Sequence, residues 1–104
     1  TRSGGGQEEQ KQLVYTTDAA DIALNFRPRH RNGHLDIDGQ VFPADDEDPA
    51  SFSVQLLSGT DEVGLSTTDE LGEFAFVAVP SGAYQILVSG ERVEILISSV
   101  ELSP

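Results

Sequence analysis

From Ile22 onward, apolar and polar residues alternate along the chain. Ile22, Leu24 and Phe26 are separated by Ala23 and Asn25, and the same period of two returns at Leu35, Ile37, Gly39 and Val41. It continues at Phe52, Val54 and Leu56, at Tyr84, Ile86 and Val88, and at Val93, Ile95 and Ile97. Residues two apart share one face of a strand, so each run reads as a strand with one face towards a core. Residues 13–17 make a shorter strand through β-branched Val14, Thr16 and Thr17. Val63, Leu65 and Thr67 mark another, as do Phe74 and Phe76. No stretch carries a helical period of useful length. About eight short strands spaced 8–12 residues apart predict an all-β fold, a seven- to eight-stranded antiparallel sandwich with Greek-key connections.

The breaks between the runs are turn chemistry. Asp18-Ala19-Ala20-Asp21 reads as a turn, and Pro28 ends its strand because it cannot donate to a ladder. Asn32-Gly33 is a strong hairpin signal, since both residues tolerate positive φ. Ser58-Gly59-Thr60-Asp61, Asp69-Glu70-Leu71-Gly72, Pro80-Ser81-Gly82 and Ser89-Gly90-Glu91 supply the remaining reversals. Gly39, on an inward face, predicts a bulge or a close approach of backbone. Ser98-Ser99 predicts a bulge that resets the register before Val100 and Leu102. Tyr84, two residues after Gly82, fits a tyrosine corner whose hydroxyl bonds backbone near Pro80.

A chain of 104 residues makes one domain, burying roughly 60–65% of its unfolded surface. Residues 1–12 are polar and carry Gly4-Gly5-Gly6, so they read as a linker, with residues 13–104 as the single sandwich domain. The chain starts at Thr1 and has no methionine, which predicts a fragment of a larger protein. No signal-peptide pattern and no apolar run of about 18 residues occur. Cysteine is absent, which removes disulfides and thiolate chemistry and leans towards a reducing, cytoplasmic setting. Six basic against eighteen acidic residues leave a net charge of −12. That surface repels phosphate backbones and anionic membranes, so neither nucleic acid nor membrane insertion is expected.

The pattern Gly39-x-Val41, Phe52-x-Val54-x-Leu56, then Thr68-Asp69-x-x-Gly72-x-Phe74-x-Phe76-x-x-Val79-Pro80-x-Gly82-x-Tyr84-x-Ile86-x-Val88 resembles the carboxypeptidase regulatory-like domains. The resemblance covers residues 35–88 and implies a transthyretin-like, prealbumin-type β-sandwich. It further implies a non-catalytic accessory or interaction module of a larger, often bacterial, protein, with no cofactor and with a protein or an adjacent domain as partner. A looser likeness, from Leu13-Val14-Tyr15 to Val100-Glu101-Leu102, is to bacterial proteins encoded beside extracytoplasmic-function sigma factors, which implies a regulatory, anti-sigma-like alternative. Transthyretin-related hydroxyisourate hydrolases end in Tyr-Arg-Gly-Ser, whereas this chain ends in Glu101-Leu102-Ser103-Pro104, so their catalytic residues have no counterpart here.

Candidate chemistry is sparse. Arg27, Arg29, His30, Arg31 and His34 form the basic cluster of an acidic chain and suit an anion or carboxylate partner; balancing Asp45-Asp46-Glu47-Asp48 is the structural alternative. Two histidines four apart hold zinc from a helix, but Pro28 and Asn32-Gly33 oppose one. The acidic run and Asp36-x-Asp38 lack the ligand spacing of a calcium loop and read as solvated surface. No nucleophile elbow occurs, and Val79-Pro80-Ser81-Gly82 is accounted for as a turn. Carbohydrate binding usually wants an exposed aromatic platform, and its absence is expected here: there is no tryptophan, and the core claims every aromatic but Tyr15 and Phe42. Leu57 and Leu87 fall on outward faces with Ala75 and Val77, forming an apolar partner patch or lying beneath the N-terminal strand. Asp69, Gly72, Gly82 and Tyr84 are expected to be structural.

Overall fold

A computed structural model describes residues 11–28, 33–44 and 48–102. It contains eight strands: β1 (Lys11–Thr16), β2 (Ala20–Pro28), β3 (His34–Pro43), β4 (Ser53–Ser58), β5 (Asp61–Thr67), β6 (Glu73–Pro80), β7 (Gly82–Ser89) and β8 (Glu94–Leu102). One 3-10 turn, Pro49–Ser51, precedes β4 and is capped by the Asp48 side chain. The strands form two antiparallel four-stranded sheets, sheet A ordered β1-β2-β3-β6 and sheet B ordered β5-β4-β7-β8. β5 and β6 adjoin along one side of the sandwich. Read around that side, the order β3-β6-β5-β4 is a Greek key, with β3 returning beside the last of three consecutive strands. The all-β sandwich expected from the alternation is what forms.

Most of the core is residues that the period of two picked out, joined by Ala20, which the sequence placed in a turn and which β2 buries, and by Val79. Ile22, Leu24, Phe26, Leu35, Ile37 and Val41 from sheet A face Val54, Leu56, Ile86, Val88 and Ile97 from sheet B, all buried. Thr68 is the buried polar residue among them. Its hydroxyl accepts from Phe52 N–H at 3.2 Å and donates to the Pro49 carbonyl, so the buried hydroxyl is used both as acceptor and as donor.

Three local features explain how the strands keep register. In β8, Tyr84 pairs Val100 while Ile86 pairs Ile97, so one extra residue of β8 is accommodated at the predicted Ser98-Ser99 bulge. Val100 and Leu102 are thereby buried alongside Ile97. A matching bulge in β6 lies opposite Asp36, between the pairs Leu35–Val79 and Ile37–Phe76. There Ala78 takes φ 58°, the left-handed region, and its N–H donates to Asp36 Oδ1 at 2.9 Å. Gly39 is not itself a bulge. A Cβ there would lie 2.1 Å from Phe74 Cζ, so the glycine is required by the ring packed against it.

The Asp69–Gly72 turn and the tyrosine corner take the forms expected. Asp69 Oδ1 accepts from the N–H groups of Leu71 and Glu73, both at 2.9 Å, while Gly72 takes φ 82°. The Gly72 carbonyl accepts from Val41 N–H at 2.9 Å, docking the turn on β3. Tyr84 is buried, and its hydroxyl donates to the Pro80 carbonyl at 2.7 Å. Gly82, at φ 154°, stands beside that ring. Tyr84→Phe is expected to cost about 1 kcal/mol, the net worth of one hydrogen bond. Urea denaturation reads this directly, and an unchanged midpoint would show the corner to be dispensable.

β5 departs from the simple pattern. Its Val63 and Leu65 are 53% and 60% exposed. The residues opposite buried Leu56 and Val54 are Gly64 and Ser66. The cause is a ring: a Cβ on Gly64 would sit 2.9 Å from Phe76 Cδ1, so Phe76 of sheet A fills the space an inward side chain of β5 would occupy.

Candidate functional site

The basic cluster is only partly within the described residues. Arg29, His30 and Arg31 lie outside them, as does most of the acidic run, residues 45–47. Arg27, on the outer face of β2, forms an ion pair with Asp38 of β3, both about half exposed. His34 opens β3 opposite Pro80 of β6. Asp36 and Asp38 are thus each engaged locally, one at the β6 bulge and one with Arg27. Among the described residues, no group of three or more histidine, cysteine or acidic side chains is placed to hold a metal ion.

The outward apolar residues show a clearer arrangement. In sheet B, Gln55 pairs Leu65 on one side and Leu87 on the other, and Leu87 pairs Leu96. One row of side chains therefore runs across all four strands as Leu65, Gln55, Leu87 and Leu96. Leu57 lies two residues along β4 from Gln55, on the same face and diagonal to Leu87, within reach of it. Leu96 is 55% exposed. Gln55 Nε2 donates to Glu62 Oε1 at 2.8 Å, which ties the one polar member of the row to β5. Glu94, opposite Ser89, places a second carboxylate on this face.

Leu57 and Leu87 are neighbours, whereas Ala75 and Val77 belong to β6 of the other sheet. Val77, 68% exposed, instead lines a groove of about 320 Å³ between the edges of β5 and β6, with Val63, Leu65, Ala75 and Phe76. The apolar surface thus continues from the leucine row through Leu65 round the β5 edge. β1 does not cover it, because β1 is bonded to β2 in sheet A. The part that sequence reasoning missed is Leu65, Leu96 and Val63. Leu96 joins Leu87 through the register of the β7–β8 hairpin, whereas Leu65 belongs to a strand distant in sequence that only the order β5-β4-β7-β8 brings into the row. No family model, curated protein or solved structure matches the chain.

Proposed function

We propose that this chain is a non-catalytic accessory domain of a larger bacterial protein, of the carboxypeptidase regulatory-like kind, which binds a protein partner through the outer face of sheet B. The observation that carries this reading is the leucine row. A solvated sheet face alternates polar residues outward, whereas here three of the four positions of a row across sheet B are leucine, Leu65, Leu87 and Leu96, with Gln55 between the first two and half-buried Leu57 beside half-buried Leu87. Contiguous apolar surface of that kind marks interaction sites. Glu62 and Glu94 at its margins, on a chain of net charge −12, select a partner with an apolar centre and a basic rim. The Asp69–Gly72 turn and the Tyr84 corner favour the family resemblance, because these residues take the turn and corner roles that it implies.

A photo-crosslinking residue placed at position 87 or 96 of the parent protein in its own cells tests the reading. A discrete protein adduct is expected from both positions, weakened when Leu65→Gln is added, and none from position 21 on the opposite sheet. Equal labelling from both faces, or no adduct from either, would contradict it.

A further inference from the structure

The middle of the outer face of sheet A is made largely from residues that sheets do not favour. Register places Gln12, Asn25, Asp38 and Ala75 in one row across β1, β2, β3 and β6, and Val14, Ala23, Gln40 and Glu73 in the next. Asparagine, aspartate and alanine are depleted from strands because they pack poorly on a pleated surface. Ala23, Asn25 and Asp38 lie on the two central strands, β2 and β3, where β-branched residues would stabilise most, and Ala75 continues the row onto β6. Local choices that work against the fold are expected at functional sites.

Their effect is a depression. Ala23 and Ala75 leave the floor low, while longer polar side chains and the Phe42 ring stand round it. A cavity of about 760 Å³ lies over these residues, with Thr67 and Asp69 reaching it from the β5–β6 side. Phe42 is 48% exposed, a large aromatic that the core does not use. Two of the polar groups are already held in place. Asp38 is paired with Arg27, and Gln40 Nε2 donates to the Leu71 carbonyl at 2.9 Å, leaving its Oε1 directed by that bond. Such anchoring lowers the ordering cost of binding.

The chemistry of the lining selects the ligand. A side-chain amide offers a donor and an acceptor side by side, and a carboxylate offers two acceptors; both match the vicinal hydroxyls of a sugar. A phenylalanine face accepts the C–H edge of a sugar ring. Asp38, Asp69 and Glu73 line the cavity within a chain of net charge −12, so an anionic ligand is repelled. From Asp38 to Phe42 the face is roughly 13 Å long, and four strands make it roughly 14 Å wide, room for about two or three sugar rings. We propose that the outer face of sheet A binds a neutral oligosaccharide, with Asn25, Gln40 and Glu73 bonding its hydroxyls and Phe42 stacking on a ring. This site is separate from the leucine row and does not depend on it.

Native electrophoresis of the chain through gels containing a soluble β-glucan, xylan, galactomannan or amylopectin tests the proposal, with anionic polygalacturonate as the control. The expected result is retardation by at least one neutral polysaccharide and none by polygalacturonate. Phe42→Ala and Asn25→Ala should each weaken that retardation about tenfold or more with an unchanged thermal midpoint, while Leu96→Gln should leave it intact. No retardation by any of the four neutral polymers would overturn the proposal, as would retardation that both substitutions leave undiminished.

Discussion

Replacing Gly39 by alanine is expected to destabilise the domain by about 3 kcal/mol, the upper end of overpacking costs. The new methyl would meet the Phe74 ring at 2.1 Å from Cζ and at 2.6 and 2.7 Å from the two Cε atoms. Such contacts require movement, and the ring has little room to retreat. Phe74 is buried, and Phe76 stands edge-on to it with centroids 6.1 Å apart. The backbone of β3 cannot retreat either, because it is bonded on both sides, to β2 and to β6. Shortening the obstacle should restore much of the loss. In the background of Gly39→Ala, Phe74→Leu is expected to be much less damaging than it is in the unaltered chain, or even stabilising. A double-mutant cycle in urea measures that coupling. Additive effects, or a Gly39→Ala variant with an unchanged midpoint, would mean that the ring does not cover the glycine.

The second large effect is expected at Ile86. It has no exposed surface, it lies on β7 between β4 and β8, and it stands opposite Leu56 on one side and Ile97 on the other. Ile86→Ala removes buried methyl and methylene groups and leaves a cavity whose walls belong to three strands, which limits collapse. The expected cost is about 2–5 kcal/mol, a large share of the roughly 5–15 kcal/mol that holds such a domain. Because the surface exposed on unfolding is almost unchanged by one truncated side chain, m should stay constant while the urea midpoint falls. A loss below about 1 kcal/mol would show that sheet B does not pack against sheet A there.

The alternation made the sheets legible because each central strand has one buried face, and a period of two cannot be mistaken for a helix over such runs. The β8 bulge was legible for the same reason: Ile97 and Val100, both apolar, are three apart and cannot share a face without an extra residue between them. Phe76 and Val79 carry the same three-residue spacing, which is the local sign of the β6 bulge and of Ala78 in its left-handed conformation. β5 shows where alternation stops informing. It tells which residues share a face, not which face is turned inward. That was decided by the Phe76 ring occupying the space over Gly64, a contact between strands of different sheets.

The candidate surfaces were less legible still. Leu57 and Leu87 could be recognised as outward, but their neighbours Leu65 and Leu96 depend on strand order and register. Ala75 and Val77 look identical in pattern, yet they sit on the opposite sheet. The depression over Ala23 and Ala75 likewise exists only once β1, β2, β3 and β6 are laid side by side.

The claim that the leucine row is a surface left open for a partner is tested most directly by the stability of the isolated chain carrying Leu65→Gln and Leu96→Gln together. Both side chains are more than half exposed, so polar replacement should shift the unfolding free energy by no more than about 0.5 kcal/mol per site. A fall of several kcal/mol in the urea-derived stability would contradict the account, since it would place these leucines inside the domain's own core.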